Sequence, residues 1–250
     1  KEAEAMLRRA IKGYEKTVGE EHLDTLNSIN QLGSVLESQG KYKEAEAMQR
    51  RALEGYKKVS GEEHPDTLAG VSLLGSVLER QGKYKEAEAM QRKALEGYEK
   101  VVGVENLQTL AIIGQLGSVL QSQGNYKEGG AMYRRALEGY DKVVGEEHPD
   151  TLSCMANLAI SLWSQRQWKE AEDMERQVME TRKKVSGLAH PATLTAMHNF
   201  AFTLKSQSRN KEAIALMETC FQLRERDLGH HHPVTEASRD ALNMWRMENI

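Results

Sequence analysis

The stretch from Gly61 to Val102 lies on the stretch from Gly19 to Ser60, 42 residues earlier, with only ten mismatches, so 32 of 42 positions are identical. The same frame aligns Gly19, Gly61, Gly103, Gly145, Gly187 and Gly229 in one column and Thr25, Thr67, Thr109, Thr151, Thr193 and Thr235 in another. A fixed period of this size marks a tandem array in which each unit buries its apolar side only against its neighbours. That overrides the one or two globular domains that 250 residues would otherwise predict. The frame divides the chain into a partial unit at 1–18, full units at 19–60, 61–102, 103–144, 145–186 and 187–228, and a partial unit at 229–250, all of one domain. The activity that goes with such an array is binding.

Each unit carries two helical patterns. In the first, Leu26, Ile29, Leu32 and Leu36 recur at spacings of three and four with Gly33 on the same side, which is one apolar stripe of a helix. Asp24 and Thr25 are candidate N-caps for it, and Gly40 is a left-handed stop. The second places Ala45, Met48, Ala52, Tyr56 and Val59 on one face. Between units the run Gly-Glu-Glu-His-Pro predicts a short turn, because proline cannot continue a helix. The pattern predicts twelve helices, the first at Lys1–Val18 and the last from about Thr235 to Asn249. Gly33, Gly75 and Gly117 become Ala159 and Ala201 in later units, so this column needs a small side chain, consistent with two backbones approaching closely.

Composition removes several classes of function. The net charge is −3, from 34 basic and 37 acidic residues mixed along every unit, which leaves no electrostatic footprint for nucleic acid. Basic runs such as Arg50 and Arg51, or Lys57 and Lys58, read as solvated helix faces. Charged residues make up 28% of the chain, and no apolar run is long enough to span a bilayer. The two cysteines lie in unrelated columns; Cys220 falls in the small buried slot of Ala52, Ala94 and Ala136 and reads as a packed thiol. Sparse cysteine points to a reducing, cytoplasmic compartment. The chain begins within a unit, since Lys1 to Met6 repeats Lys43 to Met48, and is expected to be part of a longer polypeptide.

No constellation for catalysis, a cofactor or a metal emerges. His22, His64, His148, His190 and His232 share a column, yet they fall in successive turns separated by at least a helix-packing distance of roughly 8–10 Å. Ligands of one zinc ion lie about 2 Å from it, so the column reads as turn chemistry. His230, His231 and His232 are neighbours in one turn, which seldom supplies a closed metal site. There is no glycine-rich phosphate loop, no HExxH and no GxSxG. Acidic pairs such as Glu20 and Glu21 sit in exposed turns, where nothing would raise a carboxyl toward catalytic use. The expectation is a non-enzyme without cofactor or metal.

A leucine followed by a small residue in the first helix (Leu32-Gly33, Leu74-Gly75, Leu116-Gly117, Leu158-Ala159), an aromatic before the second (Tyr42, Tyr84, Tyr126, Trp168), and alanines at Ala45 and Ala52 resemble the tetratricopeptide repeat. The longer period and the His-Pro-Asp-Thr turn, at His64 to Thr67 and His148 to Thr151, are similar to repeats of kinesin light chains and of the arrays that end fungal and bacterial NLR-like signalling proteins. The resemblance covers the whole chain and frays at its end, where Asn210 replaces the aromatic, Ser208 the glycine, and Glu236 the leucine of Leu68. It implies an all-α, right-handed superhelical solenoid of antiparallel helix pairs whose first helices line a concave groove.

The copies disagree mainly along that face. Half of the ten mismatches fall in one block, Asn27 to Gln31 against Ala69 to Leu73, while the second helices scarcely change. The resemblance assigns to the groove Asn27, Asn30, Ser34, Ser38, Ser72, Ser76, Arg80, Ser118 and Gln121 in early units, and Trp163, His198, Phe202 and Lys205 in later ones. The expected groove has a polar, roomy end and an aromatic, partly basic end, suited to an extended peptide or helix of a partner protein; the opposing reading is drift, with Trp163 and Phe202 packed on a neighbouring helix. Kinesin light chains grip cargo with a ladder of groove asparagines; the matching column here reads Asn30, Ser72, Gly114, Ala156 and His198, a single rung. The favoured context is therefore the C-terminal recognition array of an NLR-like signalling protein, ahead of a cargo or assembly adaptor. A third expectation is end-to-end self-association through apolar faces at Met6–Ile11 and Leu242–Met247.

Overall fold

The computed structural model describes residues 2–248. Among them are twelve α-helices and no strands. In chain order they are α1 (Glu2–Thr17), α2 (Leu23–Ser38), α3 (Tyr42–Ser60), α4 (Pro65–Arg80), α5 (Tyr84–Val101), α6 (Leu107–Ser122), α7 (Tyr126–Val144), α8 (Pro149–Ser164), α9 (Trp168–Ser186), α10 (Pro191–Ser206), α11 (Asn210–Leu228) and α12 (Pro233–Met247). Lys1 and Asn249, where the first and last helices were expected to begin and end, lie outside the described residues.

The turn between units accounts for three of the aligned columns. The histidine is the N-cap of the next first helix: His22, His64, His148 and His190 each accept the backbone N–H two residues on at Nδ1, over 3.2–3.3 Å. Asn106 does the same with Oδ1 at 2.9 Å, so what the position requires is an acceptor rather than an imidazole. This corrects the reading of Asp24 and Thr25 as caps. Thr25 Oγ1 instead donates back to the Gly19 carbonyl at 2.7 Å, and Thr67, Thr109, Thr151 and Thr193 repeat the bond to their own glycines. Proline opens α4, α8, α10 and α12 in the first turn, where its missing N–H costs nothing. Within each unit the short turn after the first helix is left-handed, at Gly40 with φ +75°. Arg166 and Ser208 hold the same conformation at φ 62° without being glycine.

The chain forms two compact units, residues 1–139 and 140–250, divided within α7. In the first, α1 to α6 pack each against the next. Leu26, Ile29, Leu32 and Leu36 from α2 are buried with Ala45, Ala52 and Tyr56 from α3 and with Ile11 and Val77. Met48 is half-buried and Val59 exposed, so the second-helix face ends one turn earlier than its periodicity predicts. The small-residue column has two uses. At Gly33 and Gly75 it makes room for a buried glutamine side chain, Gln49 or Gln91, whose Nε2 would lie 2.6 or 2.8 Å from an added Cβ. Only at Gly117 does backbone approach backbone, since a Cβ on the facing Gly129 would meet the Gly117 carbonyl at 2.9 Å.

In the second unit α8 to α12 also pack in sequence. Phe200, Ala201 and Leu204 from α10 are buried with Ala213 and Met217 from α11 and with Ala241, Leu242 and Trp245 from α12. Of the end faces read as apolar and open, Ile11, Leu242 and Trp245 are buried, while Met6, Met244 and Met247 are exposed. Both cysteines are buried in this unit. Cys220 packs in its alanine slot with Sγ 3.2 Å from the Leu194 carbonyl, and burial pushes the Cys154 thiol up to about 12. Basic side chains on second helices pair with acids across the array: Arg51 meets Glu15 of the preceding unit, whereas Lys58–Glu21 and Lys184–Glu147 tie a second helix to the turn that opens its own unit. Solvent screens such exposed pairs, which therefore add little to stability. No helix among the described residues is long and apolar enough to cross a membrane.

Candidate functional site

In the first unit much of the polar lining expected of the groove is already engaged. Ser34, Ser38 and Ser76 donate to carbonyls of their own helices, at Asn30, Val35 and Ser72, over 3.4, 2.7 and 3.3 Å. Back-bonding of this kind is what serine does within a helix and leaves its proton unavailable to a partner. Ser72 is buried, bonded to Gln91 at 2.9 Å and to Gln115 of the next first helix at 2.5 Å, so it belongs to the packing between repeats. Asn27 turns to its own second helix and accepts from Tyr56 Oη at 2.6 Å. Arg80 is exposed beside Glu37 at 3.8 Å, Ser118 donates to Glu79 at 2.7 Å, and Gln121 is half-buried. Asn30 keeps a buried Oδ1 with no partner.

The second unit is organised differently. A cavity of about 280 Å³ opens between α8 and α10 and is lined by Ile160, Trp163, Glu175, His198, Asn199, Phe202 and Thr203. Three of the four residues predicted for this end of the groove therefore share one site. Trp163 is 39% exposed, and its indole Nε1 donates to Ser206 on α10 at 3.0 Å, which fixes the ring across the gap between the two first helices. Phe202 is half-buried, 5.1 Å from the His198 ring and edge-on to Trp245 at 5.0 Å. The reading that these aromatics are merely packed thus applies in part to Phe202 and not to Trp163.

The basic character expected of this end is not carried by His198 or Lys205. Burial, helped by Arg224, lowers His198 to about 4, so its ring is neutral at neutral pH. Arg224 is itself buried among the carbonyls of Leu194 and Val234 and the hydroxyl of Ser238, with Nη1 3.3 Å from His198 Nδ1. Lys205 pairs with Glu248 at 2.9 Å and does not line the cavity. Among the described residues that line the cavity is an acid, Glu175, which is 5% exposed and whose Oε2 has no hydrogen-bond partner. Burial pushes its carboxyl up to about 7, opposed by a hydrogen bond from Thr203 and reinforced by the charge of Glu172.

Glu175 was not foreseen, although the period held the signal. Its column reads Gln49, Gln91, Tyr133, Glu175 and Met217, all buried, and only one of the five carries charge. Gln91 shows what the scaffold asks there: Nε2 donates to the Ser72 carbonyl and Oε1 accepts from the Ser72 hydroxyl, both at 2.9 Å. A carboxylate cannot make the donating bond.

No group of three or more metal-ligating side chains comes together among the described residues. His230, the first of the histidine run, is held by Glu225 at 2.7 Å and Arg239 at 2.9 Å.

A family model described as tetratricopeptide repeat matches residues 1–58, 30–100 and 107–184, and a second model of the same description matches 193–234. No curated protein matches the chain. Among solved structures, it is similar to BtubC (BKLC) of P. vanneervenii, with TM-score 0.78 and 19% identity over 92% of this chain and 93% of that one. It is also similar to a Podospora anserina protein of nearly identical TPR-like repeats named after kinesin light chains, with TM-score 0.69 and 23% identity over 80% and 95%. A third is YrrB, described as a TPR protein with an unusual peptide-binding site, with TM-score 0.51 and 20% identity over 87% and 93%. At these identities the likeness is one of fold.

Proposed function

Since the chain belongs to the tetratricopeptide-repeat family, we propose that it is a protein-interaction scaffold that holds an extended segment of a partner protein along its first helices. The observation that carries this reading is Trp163, a large apolar ring left 39% exposed yet anchored to α10 at the mouth of a cavity. Buried aromatics that fill pockets supply a large share of binding energy at interfaces, and an exposed, pre-positioned one is suited to that use. The biological setting is the recognition array of a larger NLR-like signalling protein. Near-identical copies whose first-helix face differs support that setting, as does the single asparagine in the column Asn30, Ser72, Gly114, Ala156 and His198. A nucleotide-binding domain encoded upstream would agree with it; an upstream heptad coiled coil would favour a cargo adaptor.

The binding reading is tested by selecting random dodecapeptides on the immobilised protein and on Trp163→Ala. Selected peptides should lose at least about tenfold in affinity for the variant, as for an interface hot spot, while the helical circular dichroism is unchanged. Equal affinity for a folded Trp163→Ala protein refutes it.

A further inference from the structure

We propose that the cavity between α8 and α10 is an anchor site for a lysine or arginine side chain of the bound segment, with Glu175 as its counter-charge and Trp163 and Phe202 as its walls. This deepens the groove reading and rests on it.

Four observations converge. The Glu175 carboxylate belongs to a second helix and is part of the cavity lining, and its buried Oε2 has no hydrogen-bond partner. A buried carboxylate oxygen without a donor is costly, and a ligand ammonium or guanidinium would satisfy it. The walls suit the rest of such a side chain. Ile160, Phe202 and Trp163 offer apolar contact for a methylene stem, and aromatic faces attract a cation by their quadrupole.

Among the described residues no cation takes the place. The groups that act on Glu175 are Thr203 from α10, which donates to it, and Glu172 on its own helix, which repels. Glu172 is itself occupied by Arg176 at 2.5 Å and by Arg209 at 2.6 Å. His198 faces the cavity uncharged, and Arg224 behind it is bound to the carbonyls of Leu194 and Val234. Lys205 is committed to Glu248. A basic side chain is the ligand group that would pair with Glu175, while a purely apolar anchor would leave it unpaired.

The column of Glu175 supplies the last argument. Gln49, Gln91, Tyr133 and Met217 fill the same buried position in the other units without charge, so the packing of helix pairs does not call for a carboxylate. Its presence at the one unit that also carries an exposed tryptophan between first helices links the two features to one task.

The test uses peptides selected on the wild-type chain, each then made with norleucine at any enriched basic position. Lysine or arginine should dominate one position, and the basic peptide should bind Glu175→Gln at least about thirtyfold more weakly than wild type, the loss expected when one member of a desolvated charge pair is removed. The norleucine peptide should bind the two proteins equally. Glu175→Gln keeps the shape of the side chain, and unchanged circular dichroism certifies its fold. An apolar or acidic residue at the anchor position, or a basic preference that survives Glu175→Gln, overturns the inference and leaves the groove reading standing. Failure to select any peptide removes both.

Discussion

Glu175 makes the stability of the second unit depend on pH in a sense opposite to that of most carboxylates. Its unfolded value is 4.5, and burial raises it to about 7 in the folded chain. The folded state then binds the proton more tightly, so the stability that goes with the neutral carboxyl is fully present below about pH 4.5 and is lost as pH rises through about 7. At 1.36 kcal/mol per unit, the ionised group costs about 3 kcal/mol above pH 8. Glu175→Gln removes the titration while retaining an acceptor for Thr203. The variant should therefore match wild type near pH 4.5 and exceed it by roughly 2–3 kcal/mol at pH 8. The lowered value of His198 acts the other way: its contribution is complete above about pH 6.5 and disappears as pH falls toward 4. Because both proteins retain it, it cancels to first order in the difference. Urea titrations followed by tryptophan fluorescence report on the right region, since Trp163, Trp168 and Trp245 all lie in residues 140–250. Parallel wild-type and variant stabilities across this pH range, or a variant weaker at pH 8, would refute the reasoning.

Leu74→Ala removes a fully buried side chain of α4 and should cost about 2–5 kcal/mol, whereas Glu99→Ala loses only a surface pair with Arg135 and should cost under about 1 kcal/mol; equal costs by denaturant titration would overturn the facing of these helices. His148→Ala should destabilise by about 1 kcal/mol through loss of the helix cap, while His148→Asn should be close to neutral because Asn106 caps α6 in the same way; a similar loss for both variants in thermal melts would show that the imidazole does more than accept. Arg166→Gly and Ser208→Gly should each raise stability by about 1 kcal/mol, as both residues hold a left-handed backbone at φ 62°; lower melting temperatures would contradict this.

Much of the fold was legible because it is made of local devices repeated in register. The bonds of such a turn close within six residues, Thr25 onto the Gly19 carbonyl and the Asp24 N–H onto His22, so fixed columns reveal their members even where the roles of cap and brace were first assigned to the wrong ones. The apolar stripe of α2 was readable for the same reason: helical periodicity says which side of a helix faces its neighbours. The lining of the site was decided elsewhere. Ser72 reaches Gln115, Trp163 reaches Ser206, and Asn27 reaches Tyr56. Those choices depend on which side chain of a neighbouring helix stands opposite, information that a 42-residue period averages away. The sign of the charge at the aromatic end turned on burial: the same packing that neutralises His198 and pairs Lys205 with Glu248 leaves the carboxylate of Glu175, from a helix not counted as lining the groove, without a counter-ion. Sequence alone determined where the helices run and which faces they bury, because those follow from short-range periodicity. Which polar groups remain available to a partner was settled only by tertiary packing, because desolvation and hydrogen-bond satisfaction depend on every neighbour in three dimensions.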